Sequence, residues 1–136
     1  MNEQSASGSP KSEPLPCSAI VYRALLKKRW LNEDTGRVEA GAYLLREKEK
    51  NRGLSVNIAA TCSPQECAEK FDKCFGVASL HVGRIRELGL DVVADKYDHA
   101  YIKGLPYKDD NLAEAERLAG LLAKQSRIVW LHTTLY

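Results

Sequence analysis

Along residues 54–60 (LSVNIAA) apolar and polar side chains alternate, with Leu54, Val56 and Ile58 on one side and Ser55 and Asn57 on the other. A period of two predicts a half-buried strand. The β-branched and aromatic start of residues 20–25 (IVYRAL) predicts a strand as well, and residues 40–46 (AGAYLLR) read as a second one, antiparallel to it after the turn Glu33-Asp34-Thr35-Gly36. Residues 46–53 (REKEKNRG) form a charged loop that ends at Gly53. Two further strands are predicted over 77–82 and 127–131, with a hairpin whose arms are 90–94 and 100–103. Its loop holds Asp95, Lys96, Tyr97 and Asp98, and Pro106 lies just beyond its second arm.

Two segments change to helical spacing. Ser63, Pro64 and Glu66 stand as N-cap, first helical residue and reach-back carboxylate of a capping box, which predicts a helix over about 64–75. On it Cys67, Phe71 and Cys74 share one face. Farther along, Asp109, Asp110 and Asn111 precede an apolar stripe of Leu112, Ala115, Leu118, Ala119 and Leu122. Residues 83–88 make a short helical turn that Gly89 closes. This order predicts an α+β fold: a single domain over 17–136, with a mostly antiparallel or mixed sheet and two main helices packed on one face. Residues 1–16 carry only three apolar side chains, Met1, Ala6 and Leu15, and are expected to be a disordered tail.

Composition narrows the function classes. The 136 residues are 44% hydrophobic and 28% charged, which suits one domain, and a net charge of +2 is too small for a dedicated nucleic-acid binder. No apolar run reaches the length of a membrane span, and the polar start does not resemble a signal peptide, so a soluble cytoplasmic protein is expected. The four cysteines are then expected as free thiols. The spacing of Cys62, Cys67 and Cys74 fits a buried face better than a zinc site, even with His81 added, so no metal is expected, and no cofactor motif is present.

Candidate chemistry gathers at a few residues. His99, Tyr101 and Lys103 are at i, i+2 and i+4 of a strand, which puts all three on one accessible face suited to an anion while Ala100 and Ile102 turn inward. Arg23 and Arg46 interrupt apolar stretches near Tyr22 and Tyr43, and arginine grips phosphates and carboxylates bidentately and stacks on aromatic rings. Ser55 lies on the following strand. An Arg, Ser and aromatic set on adjacent strands is similar in residue type to the NAD-gripping cleft of ADP-ribosyltransferase-like folds. That likeness rests on three separated residue types, and no contiguous motif or completing glutamate accompanies it, so it assigns no family. Lys27, Lys28 and Arg29 would form one basic surface with Arg46, Lys48, Lys50 and Arg52 if the two segments meet.

Two functions follow from these residues. The first is a small protein-interaction or regulatory domain whose partner is another protein. The second is a small enzyme or binding domain for a phosphorylated or nucleotide-like ligand, with Arg23, Arg46, Ser55, His99, Tyr101 and Lys103 at its site. Catalysis and homo-oligomerisation are left open by the sequence.

Overall fold

The computed structural model describes residues 13–132. Of the tail expected over 1–16, residues 1–12 lie outside the described residues. Glu13–Pro14 form a short strand, β1, and Leu15 packs on the core with its N–H on Val92 O at 3.1 Å. Proline suits this edge strand, where the neighbouring Leu15 N–H supplies the ladder donor.

The strands that follow are β2 (Ile20–Leu25), β3 (Leu31–Asn32), β4 (Arg37–Val38), β5 (Leu54–Ile58), β6 (Gly76–His81), β7 (Asp91–Lys96), β8 (His99–Lys103) and β9 (Arg127–Leu131). The helices are α1 (Pro64–Ala68), α2 (Val82–Arg86) and α3 (Leu112–Gln125). Seven strands make one antiparallel sheet in the order β9-β6-β2-β5-β8-β7-β1, and β3 and β4 pair separately. The fold is therefore α+β with an antiparallel sheet.

Strand alternation divides the core between the two faces of this sheet. On one face Val21, Leu25, Leu54, Val56, Leu80, Ala100 and Ile102 meet Val82 and Ile85 of α2 and Leu118, Ala119 and Leu122 of α3. On the other, Ala24 and Val77 meet Cys67 and Ala68 of α1 and the returning Cys74. Thus α2 and α3 cover one face and α1 covers the reverse, so the two helices expected on a single face are divided between both.

Three further expectations are corrected. Residues 40–46 do not form a strand: Ala40–Tyr43 coil into a 3₁₀ turn that buries Ala42 and Tyr43 completely beneath α3. A short apolar run reads the same in the sequence whether it is strand or buried turn. The helix expected over 64–75 stops at Ala68, although its Ser63–Glu66 capping box is present. Beyond it the backbone tightens through Lys70 N–H to Cys67 O and Phe71 N–H to Ala68 O, and Cys74 reaches the same cluster from the loop rather than from a helical face. In α3 the buried stripe begins at Ala115, because Leu112 is 52% exposed.

The Asn111 side chain accepts Glu114 N–H at 3.2 Å and satisfies a helix-end donor. Asn111→Ala is expected to cost about 1 kcal/mol in urea unfolding. Among the described residues no helix is long and apolar enough to cross a membrane.

Candidate functional site

β2 and β5 pair only at Val21↔Ile58 and Tyr22↔Asn57. Past these pairs Arg23 supplies what the ladder no longer does, donating through Nη1 to Ser55 O at 2.9 Å and through Nε to Ala42 O at 2.8 Å. Nη1 also meets Glu49 Oε2 at 3.0 Å, in an ion pair whose side chains are each only 3% exposed. Glu49 in turn accepts Arg46 N–H at 2.9 Å, Arg46 Nε at 3.1 Å and Ser55 N–H at 3.0 Å. The Arg23 guanidinium carbon lies 5.3 Å from the centre of the Trp30 ring.

Glu49 joins the arginine and serine as a buried counter-ion and completes no ligand cleft. Glu49 was hidden in a charged loop, and the only signal for it was its position three residues after Arg46, the spacing of a carboxylate that reaches back to a helix start. Burial alone would push the Glu49 carboxyl up, but the Arg23 charge and the hydrogen bonds from Arg46 and Ser55 outweigh it and hold the group at about 2. Burial pulls Arg23 below its ordinary value, against the opposing pull of Glu49.

The Ser55 hydroxyl enters a second network on the face that the expected period of two assigns it. Ser55 Oγ lies 2.6 Å from His99 Nε2, and His99 Nδ1 lies 2.6 Å from Asp95 Oδ1. Asp95 occupies the irregular step between Ala94 and Lys96 in the β7–β8 register, and such a bulge re-aims a side chain that would otherwise follow the pleat. An ionised carboxylate only accepts, so Asp95 places the proton on His99 Nδ1 and leaves Nε2 free to accept from Ser55. The Tyr101 ring meets His99 edge-on at 4.9 Å between centres, and Lys103 Nζ stands 5.5 Å from the Tyr101 centre.

The six residues singled out in the sequence fall in two networks that meet at the Ser55 backbone, and Arg23, buried and engaged by Glu49 and two carbonyls, is closed to a ligand. Arg46, Arg23 and Ser55 are joined through Glu49, His99 is joined through Ser55, and Tyr101 and Lys103 continue from His99 by ring contact. Ala100 and Ile102 are fully buried, as the alternation requires. His99 is less accessible than expected: its side chain is 20% exposed and bonded at both nitrogens. His99→Ala is accordingly expected to cost about 1–2 kcal/mol, more than an exposed strand residue would, in thermal or urea unfolding.

The two basic segments do meet. Lys27, Arg29 and Trp30 face Arg46 across a cleft of about 400 Å³ whose remaining wall includes Tyr107 and Lys108, and Glu47 is the acidic residue lining it. Lys50 stands over the Tyr107 ring at 5.3 Å, whereas Lys28 turns toward Glu33 at 3.9 Å. A separate groove of about 510 Å³ is apolar, lined by Leu31, Ile128 and Leu131 with Glu33 and Gly36. Cys17, Cys62, Cys67 and Cys74 are free thiols. Burial pushes the Cys67 thiol up to about 12, reinforced by Cys62 and Cys74, which makes it a poor nucleophile. Among the described residues no three His, Cys, Asp or Glu side chains cluster to hold a metal ion.

The chain matches no known protein-family model, and neither the curated proteins nor the solved structures contain a significant match to it.

Proposed function

We propose that this chain is a small cytoplasmic binding domain or enzyme for a phosphorylated or nucleotide-like anion, which enters the cleft between residues 27–30 and 44–47. The observation that carries the proposal is the convergence of Lys27, Arg29, Arg46 and Lys108 beside the half-buried ring of Tyr107, with the buried Trp30 as the floor. Cations there attract phosphate oxygens, and aromatic faces accept a planar base. Arg46 enters the cleft already oriented, because Glu49 holds its Nε at 3.1 Å and its Nη2 at 3.2 Å. A preorganised guanidinium gives up less side-chain freedom when it grips a ligand. The free thiols support a reducing compartment.

Calorimetric titration with pyrophosphate and with ATP tests this proposal. Saturable binding is expected, with ATP tighter because it adds a stacked base. Arg29→Ala combined with Lys108→Ala should weaken both by at least about tenfold, since each charge-assisted contact contributes about 1.5–3 kcal/mol. Absence of saturable heat at millimolar ligand would overturn it.

The reading as a protein-interaction or regulatory domain is favoured by one other feature. Val129 and Leu131 on edge strand β9 are 40% and 46% exposed, and Leu131 borders the apolar groove with Leu31 and Ile128. An edge strand beside apolar surface is a surface on which another chain can pair. Blank titrations would make this the working account.

A further inference from the structure

We propose that Ser55 is an activated nucleophile toward carboxylic esters, with His99 as its general base and Asp95 as the positioning residue for that base. Ser55 and His99 are a diagonal pair across β5 and β8, whose register sets Ser55 opposite Tyr101 and Asn57 opposite His99. Cross-strand diagonals lie within reach of a long side chain, and here the reach closes to 2.6 Å between Oγ and Nε2. In this strand the Ser55 backbone N–H and C=O are held by Glu49 and Arg23, and the hydroxyl bonds to His99.

The bulged Asp95 completes the arrangement. By accepting from Nδ1 it fixes the ring orientation and tautomer, and it stabilises the imidazolium formed when Nε2 takes the serine proton. The His99 and Asp95 side chains remain 20% and 32% exposed, and Ser55 is half-buried, so a small ester can approach. The recurring Ser-His-Asp geometry is defined by these roles rather than by chain order.

In the step proposed, the Ser55 proton passes to His99 Nε2 as Oγ bonds to the ester carbonyl carbon and the carbonyl electron pair moves onto oxygen. Collapse of that tetrahedral species breaks the bond to the leaving oxygen, which departs as the alcohol with the proton from His99 or as a stabilised alkoxide. The acyl group stays on Ser55. The Ser55 N–H is already engaged by Glu49 at 3.0 Å and does not stabilise the oxyanion, so capture of an activated ester is expected to outrun turnover.

The test is incubation of the full chain with p-nitrophenyl acetate, followed by peptide mass mapping of acetyl groups over time. Acetylation at Ser55 is expected. His99→Ala and Asp95→Asn should each slow it by about 100-fold or more, while any lysine acetylation continues unchanged. Ser55→Ala, which removes only the hydroxyl, should retain the fold and lose the Ser55 adduct. A low-field imidazole N–H proton resonance should be present in the wild type and in Ser55→Ala and absent in Asp95→Asn, a difference that a purely packing role for Asp95 would not produce. No acetyl group on Ser55, or acetylation at an undiminished rate in Asp95→Asn, overturns the proposal. Either outcome is independent of pyrophosphate and ATP binding in the cleft, where Ser55 is not a lining residue.

Discussion

Replacing Glu49 by Ala should lower the stability of the fold by about 3–5 kcal/mol, because it leaves the Arg23 charge buried without its counter-ion. Arg23 and Glu49 are each about 3% exposed in their side chains, so water cannot substitute for the missing carboxylate. The same substitution removes the acceptor for Ser55 N–H and releases Arg46 from its cleft-facing orientation. Reduced affinity for pyrophosphate should accompany the loss of stability. Urea unfolding at pH 7 measures the first effect, and a loss under about 1 kcal/mol would show that the pair is not held in the manner described.

The ion pair also fixes a pH dependence. The Glu49 carboxyl is at about 2 in the folded chain, well below its ordinary 4.5. A depressed carboxylate contributes stability that is fully present above the unfolded value and is lost as pH falls through the folded one. Between about pH 5 and pH 2 the wild type should therefore lose about 3 kcal/mol through this group, at about 1.4 kcal/mol for each pH unit of the difference. Glu49→Gln cannot titrate, so its deficit relative to the wild type should shrink as the solution is acidified. A deficit that stays constant from pH 7 to pH 3 would contradict the assignment.

Gly53→Ala is expected to cost about 2–5 kcal/mol, combining backbone strain with overpacking. Gly53 has a φ of +125°, and a methyl group there would lie 2.8 Å from Ile102 O and 3.0 Å from Tyr101 Cβ. Both neighbours belong to β8, so relief requires moving the strand that carries His99, Tyr101 and Lys103. Gly89 provides the control, since its φ of +86° is also left-handed but nothing lies within 4 Å of an added Cβ. Gly89→Ala should therefore show the conformational cost alone, about 1 kcal/mol. Equal losses for the two substitutions in urea unfolding would remove the steric argument. The larger loss at Gly53 should be accompanied by altered chemical shifts at His99.

Much of the architecture was legible because local signals agreed with it. The period-two run at 54–58, whose strand gives way to a 3₁₀ turn at Ala59, the Asn111 cap with Ala115, Leu118, Ala119 and Leu122 behind it, and the arms around Asp95–Asp98 each express a backbone preference within a few residues. The same alternation that made β8 recognisable placed His99, Tyr101 and Lys103 on one side and buried Ala100 and Ile102. In those segments local patterning sets both the element and the direction of its side chains, because in a strand or helix geometry repeats with a fixed period.

Tertiary structure decided the rest. Residues 40–46 carry an apolar run compatible with either a strand or a compact turn, and the space beneath α3 selected the turn that buries Tyr43. The helix begun at Ser63 ended early, at Ala68, and the loop that follows carries Phe75 to a backbone bond with Leu25 O at 2.8 Å. Glu49 looked like one more solvated charge among REKEKNRG until folding set it against Arg23, twenty-six residues away. Asp95 looked like a hairpin residue until a bulge turned it onto His99. Periodicity reports which side of an element a residue faces, whereas a buried ion pair or a bulged relay depends on which strands become neighbours and where their pairing fails. That information is absent from any short stretch of the chain, because it arises only when distant segments compete for the same buried space and the same unpaired backbone groups.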